Sequence, residues 1–265
     1  MDADVFTFAV PTQFMRAFLA ERAWSSRAGV WVNGAKGIEQ KTLCTSGDVL
    51  AGCAPGGTRI FTLSGPSHAE ELARQMPTSL VLAGEAGPER TQVQGDFSSE
   101  YCRVYASADR RGVELAGALK NVVALAAGMC DGLGFGDNAR GALITRGLAE
   151  ITRLGQRLGG RWETFAGLAG MGDLITTCCS AHSRNRHVGF ELGRGKPLTE
   201  ILAGMKEVAE GVATTPAALE LGRTFGQELP ITEQVYAVLY EGKKAEDAAR
   251  SLMTRALKEE APTYA

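Results

Sequence analysis

The chain has 265 residues, 45% of them hydrophobic and 22% charged, with a formal net charge of -2. That size fits one or two globular domains with a sizeable core, and the absence of a basic stripe or Lys/Arg-rich run argues against nucleic acid as a main partner. No apolar run approaches the ~18 residues of a membrane span, and the acidic start Met1-Asp2-Ala3-Asp4 is unlike a signal peptide, so a cytoplasmic protein is expected.

The first part of the chain carries short β-prone runs: Val5 to Pro11, Gly29 to Asn33, Arg59 to Ser64, Ser79 to Gly84 and Cys102 to Ala106. Near-continuous apolar strands separated by helical stretches suit a parallel sheet covered on both faces. After Asp109 the pattern turns helical, with expected helices over Val113 to Met129, Ala139 to Leu158, Arg186 to Gly193, Pro216 to Phe225, Thr232 to Tyr240 and Ala245 to Leu257. The fold class is therefore α/β followed by all-α, with the change at residues 109 to 110.

Five segments carry chemistry. Ala35-Lys36-Gly37-Ile38-Glu39 ends a strand on the face where α/β sheets bind ligands, and Lys36 would place a cation there. Leu63-Ser64-Gly65-Pro66-Ser67-His68-Ala69 closes a strand and opens a helix that Ser67 can cap. Gly117-Ala118-Leu119-Lys120-Asn121 sets a lysine among small and apolar residues. Burial disfavours its ammonium form, which turns a lysine into a usable proton donor and acceptor. Gly170-Met171-Gly172-Asp173 places a carboxylate after a glycine turn, either as a helix cap or as the partner that holds Lys120. Ser183-Arg184-Asn185-Arg186 opens a helix with planar cationic donors at its N-terminus, a clamp suited to phosphate or carboxylate.

The remaining candidates are weaker. Gly132-Leu133-Gly134-Phe135-Gly136 imitates a dinucleotide loop but follows a helix, and reads as a helix-breaking loop. His68, His182 and His187 lack the spacing of metal ligands, so no metal is expected. Six cysteines without a C-x-x-C pair read as reduced thiols, and adjacent Cys178-Cys179 as packing.

In combination, S-G-P-S-x-A at 64–69, L-K-N at 119–121, G-x-G-D-L-x-x-T at 170–177, S-R-N-R at 183–186 and V-x-E-G at 208–211 resemble the bacterial-type NAD(P)-dependent glycerol-3-phosphate dehydrogenases. The resemblance implies an incomplete Rossmann-type NAD(P)-binding domain over 1–109. It also implies a helical substrate domain over 110–265, similar to the C-terminal domain of 6-phosphogluconate dehydrogenase. It makes Lys120 the proton donor and acceptor. It gives substrate contacts to Lys36, Gly65, Ser67, Asn121, Asp173, Thr177, Ser183, Arg184 and Asn185. Contacts with NAD or NADP fall to Lys36, Ala69, Arg184, Val208 and Glu210. The implied reaction interconverts dihydroxyacetone phosphate and glycerol 3-phosphate, feeding glycerophospholipid synthesis, with a homodimer open as the assembly.

One departure from the family pattern is large. The G-x-G-x-x-G strand unit and its neighbours, roughly 70 to 80 residues by unit length, do not precede Val5. The chain as written is therefore expected to bind NAD(P)H poorly and to present Val5 to Val10 as an apolar, aggregation-prone edge. The alternative reading is a non-catalytic phosphometabolite-binding or oligomerisation module descended from such an enzyme.

Overall fold

The computed structural model describes residues 4–21, 24, 29–257, 259 and 260. Five strands alternate with four helices: β1 Val5–Phe8, α1 Thr12–Ala20, β2 Val30–Asn33, α2 Ser46–Cys53, β3 Arg59–Ser64, α3 Ala69–Ala73, β4 Thr78–Ala83, α4 Pro88–Asp96 and β5 Cys102–Ser107. They form one sheet of order β1-β2-β3-β4-β5. The pairings β1–β2, β2–β3 and β4–β5 are parallel, as the apolar runs predict. The β3–β4 pairing is antiparallel, which corrects the expectation of a wholly parallel sheet. The connection between them carries only the one-turn helix α3, whereas the parallel crossovers β1–β2 and β4–β5 each carry a nine-residue helix.

Alternation along the strands sends neighbouring residues to opposite faces. Trp31 on β2 joins Phe8, Met15, Leu19, Val49 and Leu50 under α1 and α2, whereas Val32 joins Phe61, Leu80, Leu82, Val93 and Val104 on the other face. β1 forms one edge of the described sheet, and the ring of Phe8 packs 4.7 Å from Trp31 and 5.5 Å from Trp24.

The second part is helical: α5 Arg110–Gly132, α6 Asp137–Arg157, α7 Trp162–Ala166, a single π-helical turn at Leu168–Gly172, α8 Asp173–Cys179, α9 Arg184–Gly193, α10 Leu198–Ala203, α11 Glu210–Thr224, α12 Pro230–Tyr240 and α13 Ala245–Met253. α5 is the central post, buried at every position from Gly112 to Met129. It is long and apolar enough to cross a membrane, contrary to the expectation that no run approaches that length, but 94% of its most apolar window is buried inside the protein. An all-round apolar helix is equally what a surrounded core helix requires.

Glycines let α9 lie directly on α5. A Cβ on Gly128 would meet the Arg186 carbonyl oxygen at 2.0 Å, and one on Gly189 would meet the Leu125 carbonyl oxygen at 2.0 Å. Gly132 and Gly193, one turn further along each helix, are similarly closed. This contact holds the start of α9 against the middle of α5, where Lys120 and Asn121 sit. Below the sheet, Glu114 of α5 accepts from Thr62 Oγ1 at 2.5 Å, from Thr45 Oγ1 and from Arg110 Nη1 at 2.9 Å, pinning α5 to β3 and to the N-terminus of α2.

Candidate active site

A cleft of about 250 Å³ opens where the carboxyl ends of β1 and β2 meet α5, α8, α9 and the start of α11. Lys120 is 5% exposed and donates to Asp173 Oδ1 at 2.5 Å and to Thr177 Oγ1 at 2.6 Å. The other carboxylate oxygen, Oδ2, accepts from Lys36 Nζ at 2.8 Å, and Lys36 also donates to the Gly65 carbonyl at 2.8 Å. One buried carboxylate thus bridges two ammonium groups.

The backbone explains how three distant segments meet. The π-helical turn ends on Gly172, so Asp173 begins α8 already inside the core and serves as the lysine partner. Gly172 is the cap residue, and the cap alternative for Asp173 falls away. Four residues on, Thr177 lies on the same face of α8 and donates to the Asp173 carbonyl at 2.6 Å. Lys36 follows β2, where Asn33 Oδ1 accepts from the Ala35 amide at 3.0 Å and shapes the turn.

Electrostatics separate the two lysines and their partner. Burial pushes Lys120 down to about 8; Asp173 opposes this and Lys36 reinforces it. Burial alone would raise the Asp173 carboxyl, but Lys120 and Lys36 outweigh it and hold Asp173 below the ordinary aspartate value. With Arg184 at the rim, the cleft carries an excess of cations.

The amides form a relay. Asn121 Nδ2 donates to the Lys36 carbonyl at 2.9 Å, Asn185 Nδ2 donates to Asn121 Oδ1 at 3.0 Å, and Asn185 Oδ1 accepts from the Gly211 amide at 2.9 Å. These bonds tie α5, α9 and α11 together around the cleft. Ser183 caps α9, its Oγ accepting from the Arg186 amide at 3.2 Å, as the sequence predicts.

Of the residues singled out from sequence, Lys36, Ser67, Lys120, Asn121, Asp173, Thr177, Ser183, Arg184, Asn185, Val208 and Glu210 line this one cleft. Gly65 and Ala69 do not line it; Gly65 reaches it through its carbonyl bond to Lys36, and Ala69 opens α3 beside it. One placement differs from expectation. Ser67 does not cap α3: His68 occupies that position without a side-chain bond, and Ser67 Oγ turns back to donate to the Gly65 carbonyl at 2.9 Å. Glu210 accepts from the Thr12 amide at 2.9 Å and from Thr12 Oγ1 at 3.0 Å, so it closes the N-terminus of α1. Burial pushes the Glu210 carboxyl up, with the two Thr12 bonds opposing.

Ala9, Pro11, Gly34, Ala35, His68 and His182 also line the cleft, although the sequence reading gave none of them a substrate or cofactor contact. The signal for Ala9 and Pro11 was their place just after a strand; that for the histidines was only their adjacency to two of the motifs. Cys178 is fully buried beside Lys120, and burial pushes its thiol up to about 12, which leaves it a packing residue.

Comparison with known proteins gives this cleft a context. The family model for the NAD-dependent glycerol-3-phosphate dehydrogenase C-terminus matches residues 109–250, and that for the N-terminus matches residues 1–88. The chain belongs to the NAD-dependent glycerol-3-phosphate dehydrogenase family. A family member from Geobacter sulfurreducens, named glycerol-3-phosphate dehydrogenase [NAD(P)+], is 52% identical over 260 residues, covering 97% of this chain and 78% of the relative. A second, from Solidesulfovibrio magneticus, carries the same name and is 51% identical over 260 residues, covering 96% of this chain and 78% of that one. Among solved structures, the glycerol-3-phosphate dehydrogenase of Coxiella burnetii superposes with a TM-score of 0.89 at 34% identity, covering 96% of this chain and 78% of that chain. Family membership makes the chain an oxidoreductase of the NAD(P)-dependent type.

Proposed function

We propose that this cleft interconverts dihydroxyacetone phosphate and glycerol 3-phosphate with NAD or NADP, with Lys120 as the proton donor and acceptor at the C2 oxygen. The observation that carries the reading is the buried Lys120–Asp173–Lys36 arrangement at the foot of a cationic cleft. Two of the three Lys120 donors are taken, by Asp173 and Thr177, which leaves one for a substrate oxygen. As negative charge develops on that oxygen, Lys120 hands over its proton and becomes neutral. Asp173 keeps the ammonium aimed, and Lys36 lowers its proton affinity toward the working range. Ser183, Arg184 and Asn185 at the start of α9 hold the phosphate, whose binding orients the carbonyl.

The residues around the strand ends suit the nicotinamide end of the cofactor. A Cβ on Gly34 would meet only the Phe8 carbonyl, at 3.5 Å, so the backbone there leaves an open cradle between Ala9 and Lys36. The cofactor when bound supplies the hydride. Ala9, Pro11, Gly34 and Val208 are the groups of this chain that would flank it, with Arg184 at the shared rim.

The same reading divides the chain into a sheet domain over 1–109 and a helical domain over 110–265. It also includes a cytoplasmic location and a homodimer, which cell fractionation and sedimentation check. The test of the reaction is to compare dihydroxyacetone phosphate with unphosphorylated dihydroxyacetone as substrates. The reading expects a strong preference for the phosphorylated ketone that Arg184→Ala largely removes; equal rates on both ketones would exclude it.

A further inference from the structure

His68 holds a polar atom that the reaction just proposed does not use. It lies between Ser67 and the first residue of α3 and lines the cleft with Lys120 and Asp173. Its Nε2 is buried with no hydrogen-bond partner. The two other such atoms among the described residues, Ser64 Oγ and Thr214 Oγ1, belong to residues that do not line the cleft. With Nε2 unpartnered, the interaction of the ring with the Thr176 backbone falls to Nδ1, and we assign the ring hydrogen there, which leaves Nε2 as an acceptor. Burial, reinforced by the nearby Lys120 ammonium, lowers its proton affinity and keeps the ring neutral.

We infer that His68 Nε2 accepts a hydrogen bond from the C1 hydroxyl of glycerol 3-phosphate and dihydroxyacetone phosphate, and so selects three-carbon phosphates that carry that hydroxyl. The inference rests on the proposed reaction. A lone pair repels phosphate and carbonyl oxygens and accepts only from an O–H or N–H group. Lys120 takes the C2 oxygen and the start of α9 takes the phosphate, so the hydroxyl at the far carbon is the donor left on such a substrate. A buried acceptor without a partner costs free energy that the right ligand recovers and a deoxy analogue does not. The Nε2 atom is covered in this arrangement. The His182 ring stands 5.8 Å away on the turn before α9, with its side chain 38% exposed.

The test uses wild type, His68→Phe and His68→Gln, titrated calorimetrically with glycerol 3-phosphate and with 2-hydroxypropyl phosphate, which lacks only the C1 hydroxyl. No nucleotide is present. Phenylalanine keeps the ring volume without the acceptor, and glutamine keeps an acceptor at similar reach. Wild type should prefer glycerol 3-phosphate by about tenfold or more; His68→Phe should bind the two within about threefold, and His68→Gln should restore the preference. In spectra of wild type labelled with 15N-histidine, glycerol 3-phosphate should move the Nε2 resonance of His68 and the analogue should not. A preference that survives His68→Phe, or an unmoved Nε2 resonance, overturns the assignment alone. A wild-type chain that binds neither compound overturns the proposed reaction and the assignment with it.

Discussion

Lys120 Nζ lies 2.5 Å from Asp173 Oδ1, and solvent reaches only 6% of one side chain and 3% of the other. A buried ion pair is rarely a gain in stability over apolar packing, because both charges lose their hydration. Here the carboxylate is shared with Lys36 and the lysine is left with a spare donor, an arrangement that serves proton transfer better than packing.

The pH dependence follows from that pair. Burial places Lys120 at about 8. Reduction needs it protonated, so kcat/KM for dihydroxyacetone phosphate falls as pH rises through about 8. Oxidation of glycerol 3-phosphate needs it neutral, so that rate rises over the same range. Asp173→Asn removes the charge that holds Lys120 up and moves the limb to lower pH, by about one unit or more. Lys36→Met removes a charge that pushes Lys120 down and moves the limb to higher pH. Steady-state pH profiles of the three proteins check this, and a limb that stays fixed in both variants contradicts it.

Much of this site was legible before the structure because its residues break the local pattern they sit in. Lys120 and Asn121 interrupt an apolar helix, and Arg184 and Asn185 crowd a helix start, so each announced itself by chemistry at an unusual place. The strands were legible from their apolar runs, to within a residue or two except at the end of the first, which stops at Phe8 and not Pro11. The antiparallel turn of β4 was not, because a buried strand reads the same in either direction. The Glu210–Thr12 bond spans 198 residues in sequence and leaves no local periodicity to read. His68 was noted only as an improbable metal ligand, since an orphaned ring nitrogen is a property of packing and not of spacing.

Helix contact on glycine makes a prediction of its own. Gly189→Ala would press a methyl group onto the Leu125 carbonyl oxygen at 2.0 Å, against backbone that cannot yield as a side chain can. It should destabilise the fold by about 3 kcal/mol and move the start of α9 away from Lys120. Denaturant unfolding should show the loss in stability, and glycerol 3-phosphate titration of the folded fraction should show weakened binding. Gly141→Ala, where a Cβ meets nothing within 4 Å, should leave both intact.

Glu150 predicts a stability slope far from the cleft. It is 4% exposed and accepts from the Ile231 amide at 2.8 Å, the Thr232 amide at 2.9 Å and Thr232 Oγ1 at 2.8 Å, closing the N-terminus of α12. Burial pushes its carboxyl from 4.5 up to about 7, the three bonds opposing. The folded chain therefore binds the extra proton between those values: the stability contribution is complete below about 4.5 and is lost as pH rises through about 7. Thermal unfolding of wild type should show this decline. Glu150→Gln should flatten it and cost about 1–3 kcal/mol, since its amide brings N–H groups toward backbone N–H groups.

The most direct measurement on the central claim is Lys120→Ala in an intact enzyme, assayed for turnover of dihydroxyacetone phosphate and, separately, for NAD(P)H affinity. The variant should lose at least about 100-fold in kcat while its cofactor dissociation constant stays close to that of wild type. Near-normal turnover in Lys120→Ala would contradict the assignment of Lys120 as proton donor.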